Sequence, residues 1–438
     1  MYDILFKNGH IVTPDGTIQA DIGITGGKIT AIGKPDAPAA EEIDCKGLHI
    51  LPGVIDTQVH FREPGNTHKE DLNTGTLAAL AGGVTAVFEM PNTNPLTTTA
   101  GALQDKLDRA ADRAWCNYAF FVGGTGENAA ELPVLERLPG CCGVKVFMGS
   151  STGNLLTEDD ETLERILSHG TRRVAVHAED EARLKERAAL VAGSGDVKLH
   201  PHWRDVETAL KATQRLLRLA HKTGRPIHVL HVTTAEEMEL LAANKDIATV
   251  EVTPQHLTLF APDCYERLGT LAQMNPPIRE ERHRAALWKG LQKGVADLIG
   301  SDHAPHTHEE KARPYPESPS GMPGVQTLVP LMLNHVNHGR LTLERFVDMV
   351  CHNPQRIYGI KGKGRIETGY DGDLTIVDMN ARRTISNDWV KSKCGWTPFD
   401  GMEVTGWPVM TVLGGVIAMR DDEISGTPSG QAIAFTEE

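Results

Sequence analysis

Short runs of β-branched and aromatic residues separated by turn residues open the chain: Asp3 to Lys7, His10 to Thr13, Ala20 to Thr25 and Lys28 to Ile32. The far end has the same texture, in Asp373 to Asp378, Pro408 to Leu413 and Val416 to Arg420, with Gly414-Gly415 as a hairpin turn. Two β-rich ends around a different middle predict that the termini meet in one small sheet domain. From Pro52 to about Asn353, short apolar runs alternate with helical patterns, which predicts βα units on a parallel sheet. Eight runs read as strands: Gly53 to His60, Val84 to Met90, Asn117 to Val122, Gly143 to Phe147, Arg173 to His177, Ile227 to His231, Thr249 to Thr253 and Asp297 to Ser301. Between them, Val206, Leu210, Thr213, Leu217 and Ala220 recur at helical spacing and predict one apolar helix face. Eight such units predict an α/β fold of the TIM (β/α)8 barrel type, for which about 250 residues is usual. A doubly wound open sheet is the competing architecture, which counting alone leaves open.

Polar residues stand at the C-terminal end of nearly every predicted strand: His60, Asn92, Lys145, His177, His231, His256, and Asp302 with His303 and His306. In a barrel those ends converge on the face that carries active sites. One histidine after a strand is usually structural; several at corresponding ends of separate strands point to a site. Imidazoles with an aspartate make a hydrolytic metal site, and the scattered cysteines offer no thiolate cluster. Lys145 is the odd member, because an ammonium has no lone pair and repels a cation. It must be deprotonated or modified.

Composition narrows the classes. Lysine and arginine total 44 against 58 aspartate and glutamate, a net charge of −14, which argues against nucleic acid or an anionic membrane as partner. With 40% hydrophobic and 23% charged residues, the chain of 438 is an ordinary globular one rather than a disordered one. Seven cysteines without a CxxC fit reduced thiols. The N-terminus has an acid at position 3 and no apolar segment of signal length, and no run approaches 18 apolar residues, so a cytoplasmic protein is expected.

Several motifs resemble the dihydroorotases of the amidohydrolase superfamily. They are Pro52-Gly53-Val54-Ile55-Asp56-Thr57-Gln58-Val59-His60-Phe61-Arg62-Glu63-Pro64-Gly65, Met90-Pro91-Asn92-Thr93-Asn94-Pro95, Gly143-Val144-Lys145 and Val176-His177-Ala178-Glu179. Further on come Leu230-His231-Val232-Thr233, Glu251-Val252-Thr253-Pro254-Gln255-His256-Leu257, Met274-Asn275-Pro276-Pro277-Ile278-Arg279 and Ser301-Asp302-His303-Ala304-Pro305-His306. The resemblance implies a metal-dependent hydrolase barrel over residues 52–364 and a discontinuous β-sandwich domain from 1–51 and 365–438. It also implies that Lys145 carries a CO₂-derived carbamate bridging two zinc ions, which removes the charge problem. His177 and His231 would hold one metal, and His60 with Asp302 the other. Asp302 would shuttle a proton to the leaving amide nitrogen. His228 and His231 are three apart on a strand and face opposite sides, and the family pattern selects His231.

The implied reaction interconverts L-dihydroorotate and N-carbamoyl-L-aspartate in pyrimidine synthesis. Arg62 and Asn92 would grip the ring's carboxylate, since arginine offers a planar bidentate fork. Allantoinases usually have asparagine where Arg62 stands. His306 would complete those contacts, Asn275 and the backbone at Gly321 would read ring amides, and Ser151 with Thr152 would belong to a closing lid. Gln58 departs from the family pattern, in which a histidine stands there, and would be a weak or absent ligand. One tight zinc and a second weak or missing one are therefore expected. Gln255 and Gln273 depart as well. Two competing readings are a hydrolase of another cyclic ureide, such as a hydantoinase or allantoinase, and a non-catalytic scaffold. A small anionic cyclic substrate and a homodimer or higher oligomer complete the expectation.

Overall fold

The computed structural model describes residues 1–151 and 155–437. Its first strands are β1 (Tyr2–Thr13), β2 (Gly16–Thr25), β3 (Lys28–Gly33), β4 (Ala39–Asp44) and β5 (His49–Pro52). Eight parallel strands follow: β6 (Val54–Val59), β7 (Val84–Glu89), β8 (Asn117–Gly123), β9 (Cys141–Phe147), β10 (Val174–His177), β11 (Ile227–Val229), β12 (Ala248–Val252) and β13 (Leu298–Ile299). The chain ends with β14 (Leu374–Thr384), β15 (Glu403–Leu413), β16 (Val416–Arg420) and β17 (Glu423–Ile424).

Strands β6 to β13 pair in chain order. The seam closes where His60 N donates to His303 O (2.7 Å) and Val59 bridges His303, just past β13. This is the barrel that the eight apolar runs predict, and the open-sheet alternative is ruled out. Every residue of β6, β7, β8 and β9 is buried, as befits a parallel strand covered on both faces. Strands β11 and β13 stop short of their predicted ends because His231 (φ 37°) and Asp302 (φ 44°) leave extended geometry.

The helix Val206–Thr223 shows one local difference. Asp205 caps it by accepting from Thr208 N, and Gly224 ends it at φ 72°, a left-handed position that glycine occupies without strain. Its buried face is Thr208, Ala209, Ala212, Thr213, Leu216, Leu217, Leu219 and Ala220, while Val206 and Leu210 lie at the margin. The expected face is thus rotated. Alanines and threonines fill its first half, and leucines with Ala220 its second.

The terminal strands form one nine-stranded sheet in the order β17-β16-β15-β14-β5-β1-β2-β3, with β4 also on β1. The two chain ends join where β5 pairs antiparallel with β14, Ile50 opposite Ile376. Two runs expected at Asp3 to Lys7 and His10 to Thr13 are one strand with a bulge between them, where Asn8 has φ 62°. One apolar cluster draws Ile4, Phe6, Ile22 and Ile24 from one half of the sheet and Ile376 and Val412 from the other. The sheet therefore wraps its own core, and Gly415, in the β15–β16 turn, lies directly against Ile24.

Candidate active site

The C-terminal ends of the barrel strands surround a cleft of about 340 Å³. Strand β6 supplies its first wall. Asp56, fully buried, accepts from Ser301 N (2.9 Å) and so ties β6 to the segment after β13; burial pushes its carboxyl up to about 7. Two residues on, Gln58 Nε2 donates to Asp302 Oδ1 (3.0 Å), and His60 Nε2 lies 3.3 Å from the same oxygen. His60 Nδ1 contacts Asn92 Oδ1 at 2.8 Å. Phe61 turns away and packs where Gly75 leaves room; a Cβ there would sit 2.4 Å from the ring.

Lys145, on β9, is wholly buried, and its Nζ has no hydrogen-bond partner. The nitrogen sits 4.3 Å from the Phe147 ring centroid. Burial lowers its pKa to about 7, against the opposing pull of Asp302 and Glu251. About half of the amine is thus free of its extra proton at neutral pH.

His177, at the end of β10, and His231, after β11, bring Nδ1 and Nε2 to 3.0 Å with their rings nearly perpendicular. Burial depresses the pKa of His60 and His177, and of His231 most, so all three imidazoles are neutral and keep a lone pair. His177 Nε2 is 2.8 Å from Glu179 Oε2. Burial alone would raise the Glu179 carboxyl; the Arg204 guanidinium and His177 instead hold it well below the usual carboxylate range. The residue type and spacing in His177-Ala178-Glu179 could have revealed this partner, because alternate residues of an extended segment share a side.

Seven non-glycine residues have positive φ among the described residues, and three of them, Arg62 (65°), His231 and Asp302, line the cleft. Each such conformation costs about 1–3 kcal/mol and persists only where the surroundings impose it. Arg62 is buried, donating through Nε to Pro305 O (3.2 Å), with Nη2 3.3 Å from His306 Nε2. Burial brings its pKa down to about 10, which leaves it charged at neutral pH.

The remaining expected residues sort unevenly. Asn275 lines the cleft, its Oδ1 3.0 Å from His200 Nε2 and its Nδ2 donating to Ser151 Oγ (3.4 Å). His306 does not line it. That ring stands behind Arg62, between Lys69 Nζ (3.1 Å) and Ser320 O (3.1 Å). Gly321 lines the cleft; its N–H donates to Gln273 O and its carbonyl accepts one bond from Lys311 Nζ, which leaves one lone pair of that oxygen. Thr152 lies outside the described residues. His256 is a satisfied structural histidine, held between Thr253 Oγ1 and Pro276 O, and His303 Nδ1 accepts from Gly324 N.

The amidohydrolase family profile matches residues 49–418. The chain belongs to the amidohydrolase family. It is 38% identical to the dihydroorotase of Methanosarcina mazei over 98% of this chain and 96% of that one. With the dihydroorotase of Pyrococcus furiosus the identity is 35%, over 97% and 95%. Among solved structures, the L-hydantoinase (dihydropyrimidinase) of Arthrobacter aurescens has a TM-score of 0.93 at 30% identity, covering 98% of this chain and 99% of that one. The dihydropyrimidinase of Brevibacillus agri NCHU1002 has a TM-score of 0.91 at 28% identity, covering 98% and 97%. The chain is a hydrolase of cyclic amides.

Whether this amidohydrolase cleft suits a metal can be judged from its donors. Among the described residues no three His, Cys, Asp or Glu side chains form a ready cage. The donors come instead as two pairs, His60 with Asp302 and His177 with His231, lining one cleft with Lys145. Lys145 Nζ and His231 Nδ1 are buried without partners, and a buried polar atom left so costs about 1–3 kcal/mol. Neutral imidazoles and a carboxylate are the ligand set of zinc and its neighbours, so the residues fit.

Proposed function

We propose that this chain is a dihydroorotase, interconverting L-dihydroorotate and N-carbamoyl-L-aspartate as a step of pyrimidine synthesis. The observation that carries this reading is Arg62. Its guanidinium lines the cleft, charged and buried, and forms no ion pair among the described residues. A buried charge of that kind calls for an anionic ligand, and a hydantoin ring lacks the exocyclic carboxylate that would supply it. Full-length likeness to dihydroorotases supports the same assignment.

Lys145 as a neutral amine is set up to attack CO₂ and shed a proton, giving a carbamate whose oxygens would join the two donor pairs. His177 and His231 would hold one zinc, and His60 and Asp302 a second, weaker one. A metal there supplies acidified water and draws electron density from the scissile carbonyl. Arg62 and Asn92 hold the substrate carboxylate and thereby set the ring's face toward Asp302. Asp302 takes the proton of the attacking water and passes it to the amide nitrogen as the C–N bond breaks; cyclisation runs the same transfers backwards. Gln58, donating to Asp302, keeps that carboxylate aimed into the cleft. Asn275, fixed by His200, orients the ring from the opposite wall.

No helix among the described residues is long and apolar enough to cross a membrane. All seven cysteines are free and buried, which supports a cytoplasmic setting, and we read the enzyme as a homo-oligomer. Steady-state assays with dihydroorotate, hydantoin and allantoin test the substrate. Dihydroorotate should give the highest kcat/KM; preference for hydantoin would replace this reading with the hydantoinase one, and turnover of none with the scaffold one.

A further inference from the structure

Opposite the cleft, at the N-terminal ends of β9, β10 and β11, the barrel floor opens into a second cavity of about 610 Å³. Cys142, Arg173 and Pro226 stand where those strands begin, and Arg356 to Gly359 close the other side. Three guanidinium groups line it, from Arg172, Arg173 and Arg356. Arg172 donates to Cys141 O (2.6 Å) and Thr436 O (3.2 Å), Arg173 to Ile227 O (2.7 Å), and Arg356 to Asn353 Oδ1 (3.0 Å). Every one of these acceptors is uncharged, and among the described residues none of the three arginines forms an ion pair. Of the nearby acids, Glu136 holds Arg225 and the Thr171 N–H and Asp297 holds Lys245 and the Val250 N–H, while Glu437 shares an adjoining depression with Arg172.

Tyr358, at 7% exposure, closes the cavity toward the barrel interior, where its ring packs on Phe88 and His228. The chain as a whole carries a net charge of −14, so three arginines at one place without an ion pair among the described residues are a local feature rather than general basicity. Guanidinium forks match the oxygens of phosphate.

We propose that this cavity binds a phosphoryl-bearing anion, either pyrophosphate or the polyphosphate of a nucleotide, held by Arg172, Arg173 and Arg356. Pro226 and Ile357 add aliphatic wall. The catalytic cleft lies at the other ends of the same strands, so the two occupants do not compete for space.

Titration calorimetry of the full chain with pyrophosphate, and separately with ATP, tests this. One saturable site per chain is expected. Arg172→Gln removes one charged hydrogen-bond donor, so binding should weaken about tenfold. Arg356→Gln should weaken it at least as much, and Arg382→Gln, an exposed arginine on β14, not at all. Equal affinity for the two anions assigns the site to phosphate alone; tighter ATP binding assigns it to a nucleotide. Absence of saturable binding with both, or binding that Arg172→Gln and Arg356→Gln leave unaltered, overturns the proposal. Turnover is not the readout, so the result is independent of the dihydroorotase reading.

Discussion

Gln58 Nε2 donates to Asp302 Oδ1 across 3.0 Å, joining the first strand end of the barrel to the last. That places the amide nitrogen, a donor, on the carboxylate and leaves the amide oxygen buried without a partner. An amide oxygen is a poorer zinc ligand than an imidazole. Zinc titration of metal-free protein should therefore show two affinities more than about tenfold apart, roughly 1.4 kcal/mol, or one site only. Gln58→His should tighten the weaker site. Unaltered stoichiometry and affinities would place Gln58 away from the metal.

Lys145→Ala should abolish both zinc retention and turnover, since it removes the group that would connect the two donor pairs. A short carboxylic acid supplied with zinc should restore part of the activity by filling the vacated space with two oxygens. Wild-type activity in the alanine variant would end the carbamate assignment.

Arg62→Met keeps most of the side chain's bulk and removes the charge. Losing a desolvated carboxylate contact costs on the order of 2–5 kcal/mol, so kcat/KM for dihydroorotate should fall by at least about 30-fold. Zinc content, measured in parallel, should not change. An unchanged kcat/KM would show that the carboxylate is read elsewhere.

Asp205 offers a test remote from the chemistry. Burial opposes its ionisation, but Arg183 and the helix-capping bonds to Thr208 bring its carboxyl down to about 2. A carboxyl whose folded pKa lies below its unfolded value of about 3.9 stabilises the fold above that value and loses the effect as pH falls toward 2. Asp205→Ala should cost about 0.5–2 kcal/mol at neutral pH, and the Tm gap from wild type should close as pH falls from about 4 to 2. A gap that does not change with pH would mean the carboxylate's charge contributes nothing.

Much of the barrel was legible because buried parallel strands read as continuous apolar runs: Val84 to Met90 and Asn117 to Val122 needed nothing more. The strand-end residues His60, Lys145, His177, His231 and Asp302 were legible as a group because a barrel gathers strand ends on one face. What periodicity could not reveal was direction at the irregular positions. His231 and Asp302 leave extended geometry, and no spacing rule foretells where such side chains point. His306 lies behind Arg62 rather than beside it for the same reason. Gln273 could not be read from its neighbours either: its side chain bonds Ser318 and Ser320, across a loop that only tertiary packing brings near. Arg204, the partner of Glu179, was hidden by a separation of 25 residues.

The antiparallel pairing of β5 with β14 has a consequence for how the protein is made. Ile50 and Ile376 face each other, so a ribosome must add about 320 residues after β5 before its partner strand exists. At roughly 5–20 residues per second, that edge waits on the order of 15 to 65 s with its N–H and C=O groups unpaired. Unsheltered edges recruit other strands. A transcript cut anywhere within the barrel should therefore yield aggregate rather than a soluble fragment, and factors that shield nascent chains should govern how much enzyme a cell obtains from each message.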